Sequence, residues 1–219
     1  MRNIAFLAFQ NAGRLHADAV ALYDEGRYPS AFFLSILSQE EIGKMHIVND
    51  YLWNFDTAEP SVEDEGIERM YIDAIFLHKT KQAHFHRNSP LANSLSARGM
   101  KIWKEIEDGV LEGKKQNAAY VGFGRKNRGI DVKGPVRHPW QISKETAKAQ
   151  ITKISDYFLV YGLGVRYTTW SIDNEDVERI WKHRQFLKTL SDLWPHRSRS
   201  ASMQIRRFQS LLKETIVSP

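Results

Sequence analysis

An all-α fold follows from two observations on the chain. Apolar residues recur every three or four positions through most of its 219 residues, the period of a helix with one buried face. Strand signals are scarce: residues 118–123, AAYVGF, form the only short run able to pair, and a lone strand has no partner. With 42% hydrophobic residues the chain has ample material for a core.

The first helix spans residues 3–25, with Ile4, Leu7, Ala8, Asn11, Leu15, Ala19 and Leu22 at helical spacing. EGRYPS ends it, because Gly26 suits a helix stop and Pro29 a first turn. A second helix over 29–55 then folds back on the first as an antiparallel hairpin. Residues 56–66 are an acidic loop or helix entry, and Ile67 to about His86 reads as a third helix. NSP at 88–90 interrupts, and a less regular helix runs from about Ala92 to Lys115. The glycines and prolines of 122–139 mark a long loop. Ser143 opens a helix through Tyr167, Asn174 caps another to about Trp194, and 199–214 makes a last basic amphipathic helix. The expected organisation is a bundle over 1–123, a basic Gly/Pro-rich loop over 124–139 and a helical extension over 140–219.

Composition narrows the chemistry. The chain has no cysteine, which removes disulfide scaffolds, zinc thiolates and thiol nucleophiles. No window approaches the roughly 18–20 apolar residues of a membrane span, and the N-terminus has no signal-peptide cleavage pattern, so a soluble, cytoplasmic protein is expected. The net charge of +5 is unevenly spread. Residues 56–68 hold six acids and no base, whereas residues 113–139 carry Lys114, Lys115, Arg125, Lys126, Arg128, Lys133 and Arg137 against Asp131 alone. Such a run suits a polyanion such as RNA, the bland alternative being a solvated loop.

One stretch of the second helix is anomalous: SILSQEEIGKMHIVND places Glu40 and Glu41 where helical spacing calls for core residues. Glu41 shares a ridge with Leu34, Leu37, Met45 and Val48 and is expected to point more directly inward than Glu40. A buried charge needs partners. Lys44 is one turn on, and the third helix offers His78, Lys81 and His84 on one face. Together they would form a titratable cluster of the kind that moves protons near neutrality, or a polar network that only fixes helix register. A divalent ion held by Glu40, Glu41, His78 and His84 is the rival, but ferritin-like sites use Glu-x-x-His, and here Lys44 stands where the imidazole should be. The aromatics Phe32, Phe33, Trp53, Phe76, Trp103, Trp170 and Trp181 are expected in the core. Gly122-Phe123-Gly124 lacks the full phosphate-loop pattern, and His183, His196, Arg206 and Arg207 are expected on a solvated face.

Gly26-Arg27-Tyr28, Glu40-Glu41-Ile42-Gly43-Lys44, His78-Lys79-Thr80-Lys81 and Tyr120-Val121 together resemble the abortive-infection proteins called AbiV, a branch of the HEPN superfamily of helical RNA-associated domains. The resemblance spans roughly residues 5–123. It implies a HEPN helical bundle, often a homodimer, in a phage-defence protein, with metal-independent RNA cleavage as the superfamily's commonest catalysis and no cofactor. On that reading Glu40, Glu41, Lys44, His78, Lys79, Lys81 and Tyr120 form the catalytic set, and a phage protein is a candidate activator. The chain departs from the superfamily's Arg, four to six residues, then His signature: Arg179 stands one position too near His183, and Arg69 too far from His78. A non-catalytic binding module that senses a phage protein or blocks translation is the alternative.

Overall fold

A computed structural model describes residues 2–55, 64–89, 96–126, 129–131, 133–167, 189–190 and 192–207. They form α1 (Arg2–Asp24), α2 (Tyr28–Phe55), α3 (Asp64–Ala74), α4 (His78–Asn88), α5 (Ala97–Glu107), α6 (Val110–Ala119), β1 (Gly124–Lys126), β2 (Gly129–Asp131), a 3-10 turn (Pro139–Gln141) and α7 (Lys144–Tyr167). Residues 199–207 are helical too. The Asn174 helix start, the acidic stretch 56–63 and Arg128 lie outside the described residues. The chain divides into two compact units, 1–151 and 152–219, so the break falls inside α7 and not in the 124–139 loop.

The α1/α2 hairpin is closed as Gly26 suggests. Gly26 adopts φ +79°, its N–H donates to the Tyr23 carbonyl at 3.0 Å, and the Arg27 N–H donates to the Leu22 carbonyl at 2.8 Å. These are the paired bonds of a Schellman cap. The buried face of α1 is the expected one only in part: Ala8, Leu15 and Ala19 are buried as expected, but Ile4 is exposed and Leu7 is 59% exposed. Ala5, Phe9 and Ala12 are buried too. Small residues let α2 approach closely, and the buried Ser38 hydroxyl donates to the Ala12 carbonyl at 2.7 Å across the interface.

Helix α2 is the centre of the first unit. It packs on α1, α3, α4 and α6, so its buried residues Ala31, Phe32, Ile36, Ile42 and Ile47 point in several directions. Buried polar side chains Ser35, Ser38, Gln39 and Glu40 follow one another on the same helix.

Two expected helices are each split. The run Ile67–His86 breaks at 75–77, where Phe76 N–H donates to Asp73 and Leu77 N–H to Ala74 in tight turns, leaving His78 at the head of α4. The run 92–115 breaks at Asp108-Gly109, where Gly109 takes φ +70°, a conformation glycine adopts without penalty. Phe76, expected in the core, is 72% exposed at the first break. The basic loop holds a short antiparallel hairpin, Arg125 opposite Ile130 and Lys126 opposite Gly129.

Within the second unit Trp194 is buried, and its indole N–H donates to Thr152 Oγ1 at 2.9 Å. Ser198 N–H donates to Asp156 Oδ2 at 2.9 Å and its hydroxyl accepts from Ala201 N–H, which caps the helix at 199–207. Burial pushes the Asp156 carboxyl above the usual carboxylate range, although the Ser198 bonds and Arg197 pull it down.

Candidate functional site

The anomalous carboxylates are resolved by the helix crossings, and in the opposite order to that expected. Glu40, not Glu41, points inward: it is 2% exposed. Its Oε2 accepts from His78 Nδ1 at 2.7 Å, and its Oε1 accepts from Gln82 Nε2 and from Lys115 Nζ, each at 2.9 Å. Three donors from α4 and α6 converge on one α2 carboxylate, which satisfies the demand that a buried charge be both paired and hydrogen-bonded. Glu41 is half-buried and is paired with Lys44 Nζ at 2.7 Å on its own helix.

The crossing of α2 and α4 depends on Gly43. A Cβ at that position would sit 2.6 Å from the Lys81 carbonyl carbon and closer still to its oxygen, so only glycine lets the two backbones meet. This close approach brings Gln82 and His78, four residues apart on α4, onto Glu40 together. Lys81 on the same turn is buried. Burial lowers its pKa, an effect opposed by Glu40 and Glu41 and reinforced by Lys44 and Lys115. Thus three ammonium groups share the surroundings of two adjacent carboxylates.

Helix α6 completes the site. Lys115, which sequence grouped with the RNA-binding cations, is 3% exposed and bridges Glu40 Oε1 at 2.9 Å and Glu112 Oε2 at 2.7 Å. It is no part of a solvated patch. Burial pushes the Glu112 carboxyl up, but hydrogen bonds from Lys115 and Gln116 outweigh it and hold the group below its ordinary value.

His78 has a different exposure from its partners. Its side chain is 50% exposed whereas Glu40's is 3%. With Nδ1–H donated to the carboxylate, Nε2 is left as the proton acceptor of a half-exposed ring. The arrangement is a buried carboxylate orienting a surface imidazole, with cations close by.

Other sequence candidates lie elsewhere. Lys79 donates to the Glu107 carbonyl at 2.9 Å and so ties the start of α4 to the C-terminal end of α5, where a cation is favoured by the helix dipole. Tyr120 is exposed at the end of α6. Lys114 and Lys133 are exposed and Arg137 is half-buried, while Arg125 and Lys126 lie on β1. His84 pairs with Asp50 at 3.3 Å, so the metal set of Glu40, Glu41, His78 and His84 is not assembled. Glu40, His78 and Glu112 do offer ligand atoms within 4.8 Å of one another. Among them, however, the Lys115 ammonium already touches both carboxylates, and a divalent ion would have to displace it.

Sequence reasoning missed Gln82 and Glu112 and misplaced Lys115. The available signals were spacing: Gln82 follows His78 by four, Glu112 precedes Lys115 by three, and Lys115 shares a stripe with Leu111 and the buried Ala118.

Among comparisons with known proteins, a family model described as AbiV (HEPN_AbiV) matches residues 1–160. The match takes in every residue of the Glu40 site and continues through the hairpin into α7. No curated protein and no solved structure matches the chain.

Proposed function

The chain belongs to the AbiV family of HEPN proteins, the abortive-infection proteins of phage defence, and from that premise we propose that it is a metal-independent endoribonuclease. The observation that carries this reading is the hydrogen bond between the buried Glu40 carboxylate and the half-exposed His78 imidazole. Such a pair fixes the tautomer and leaves Nε2 as the proton acceptor.

On this reading His78 Nε2 takes the proton of a ribose 2′-OH. The 2′-oxygen attacks the adjacent phosphorus, Lys44 steadies the charge on the pentavalent phosphorane, and the 5′-oxygen leaves with a proton returned by the imidazolium. Glu40 is too deeply buried to touch RNA and acts through His78. Glu112 and Lys115 hold Glu40 in place. Lys81 lends positive potential from below, and Lys79 and Tyr120 stand at the periphery. A homodimer fits the exposed apolar side chains of α3, among them Ile67 and Met70, which a second copy would cover about a twofold axis. Light scattering tests that assembly directly.

The test of catalysis is incubation of purified protein with total RNA, with and without chelator. Cleavage that survives chelation and falls at least about 100-fold in His78→Ala supports the reading. Cleavage that chelator abolishes overturns it. The absence of the Arg–His signature from the chain favours a second reading, a binding module that senses a phage protein or blocks translation. RNA binding without cleavage at any protein concentration would select it.

A further inference from the structure

The segment from Tyr120 to Trp140 brings aromatic side chains to the surface instead of burying them. The chain leaves α6 extended at Tyr120. Gly122 then exchanges both backbone hydrogen bonds with Arg137, at 2.9 and 2.8 Å, so the two arms that flank the β1–β2 hairpin run side by side. In that antiparallel pairing Val121 and Phe123 fall on the same side as His138 and Val136, the side opposite Gly122 and Arg137. Phe123 is 52% exposed and Trp140 80%, and the His138 ring packs against the Trp140 indole with centroids 5.7 Å apart. Tyr120, 64% exposed, stands at the mouth of the arms.

Cations frame this strip. Lys114 and Lys133 are exposed, Arg137 lies half-buried against Gly113 of α6, and Arg125 and Lys126 occupy β1. The only acid between residues 113 and 139 is Asp131. A protein interface has a core depleted in charge, whereas exposed aromatic faces among unopposed cations match a ligand with flat rings and a phosphate backbone. Only unpaired nucleotides present such rings, since a duplex hides its base faces in the stack.

We propose that Phe123 and Trp140 form a stacking platform for single-stranded RNA, with Lys114, Lys133 and Arg137 on the phosphates that flank it. The platform reads no base sequence, because every base offers a π face. Its placement suits the Glu40–His78 site: Tyr120 follows Lys115 by five residues, about 7 Å along the helix axis, and Lys115 is itself bonded to Glu40. The arms therefore begin within about one and a half turns of the lysine that holds Glu40. This inference rests on the reading that the chain acts on RNA.

The test is fluorescence anisotropy of the full-length protein with a fluorescein-labelled oligouridine carrying 2′-O-methyl groups, which cannot be cleaved because the nucleophile is blocked. A duplex of equal length serves as control. The wild type should bind the single strand more tightly than the duplex. Trp140→Ala and Phe123→Ala should each weaken the single strand by about tenfold and leave duplex binding and the melting temperature unchanged, and Trp140→Phe should restore most of the loss. Lys133→Ala with Arg137→Ala should flatten the salt dependence. Wild-type binding by Trp140→Ala, or equal losses on both ligands, would overturn the platform. So would a Trp140→Ala protein that keeps its RNA affinity but loses its dimer, since the strip would then belong to a second copy. A wild type that binds the blocked strand in this pattern yet leaves natural RNA intact upholds the platform and sinks only the cleavage reading.

Discussion

The Glu40 cluster and the 120–140 arms use charge in opposite ways. In the cluster, Glu40 and Lys115 are almost fully excluded from water and every contact is a short, directed hydrogen bond. On the arms and the end of α6 beside them, Lys114 and Lys133 are exposed and form no ion pair among the described residues, and Phe123 and Trp140 face solvent. A group that must orient a proton acceptor needs a fixed position, and low local dielectric strengthens its bonds. A surface that must accept any strand needs exposure and net charge more than fixed geometry. The same residue type, lysine, is thus structural at 115 and a surface charge at 114, one position away.

The largest effect on stability should come from breaking the cluster. Lys115→Met removes the ammonium between two carboxylates and leaves Glu40 buried without its ion pair, at a cost of about 3–5 kcal/mol in urea unfolding. Adding Glu40→Gln to that variant should recover part of the loss, because the two changes act on one network. If the double variant instead loses the sum of the two single costs, the network description of Glu40 is wrong.

Next in size is an acid sensitivity of the same helix. Burial lowers the His46 pKa to about 4, against the opposing pull of Asp50 and with His84 adding to the depression. Between that value and 6.5 the unfolded chain binds more protons than the folded one, so stability rises with pH across this window and is lost as pH falls through it. The loss amounts to about 3 kcal/mol over the window. His46→Gln should flatten the profile of chemical denaturation between pH 6.5 and 4, and a profile as steep as the wild type would refute the assignment.

Smaller effects discriminate the adjacent carboxylates and then the two regions. Glu41→Gln breaks a partly exposed pair with Lys44 and should cost about 0.5 kcal/mol, well below Glu40→Gln; equal costs would erase the distinction between them. Substituting Arg125, Lys126 and Arg128 together by alanine should leave the melting temperature nearly unchanged while flattening the salt dependence of RNA binding. Titration at several salt concentrations reads that slope, and no change in it would reduce the arms to a solubility feature.

How far these features were legible in sequence depended on whether they are local. The α1/α2 hairpin was readable because Gly26 and Pro29 act on their own backbone. The break before His78 was not, because residues 75–77 contain neither glycine nor proline and tertiary packing of α4 on α2 imposes it. Likewise Leu7 outranks Ala12 in hydrophobicity, yet Ala12 is buried, since the close crossing with α2 selects small side chains. Neighbouring positions such as Glu40 and Glu41 differ by about 100° around a helix, and only the crossing angles decide which of them faces in. A buried charge in α2 was foreseeable; its partner on α6 was hidden inside a charge run whose members share a sign and not an environment.

Whether Glu40 acts through His78 on RNA is decided by cleavage of a single-stranded RNA in chelator by the wild type, Glu40→Gln, His78→Ala and the double variant, with each melting temperature recorded. Either single change should lower the rate at least about 100-fold, and the pair should lose barely more, as groups acting in one unit do. His78→Ala should melt close to the wild type, its side chain being half exposed. A folded His78→Ala protein that cleaves at the wild-type rate would contradict the claim and return the carboxylate and imidazole to the purely structural role of fixing α2 against α4.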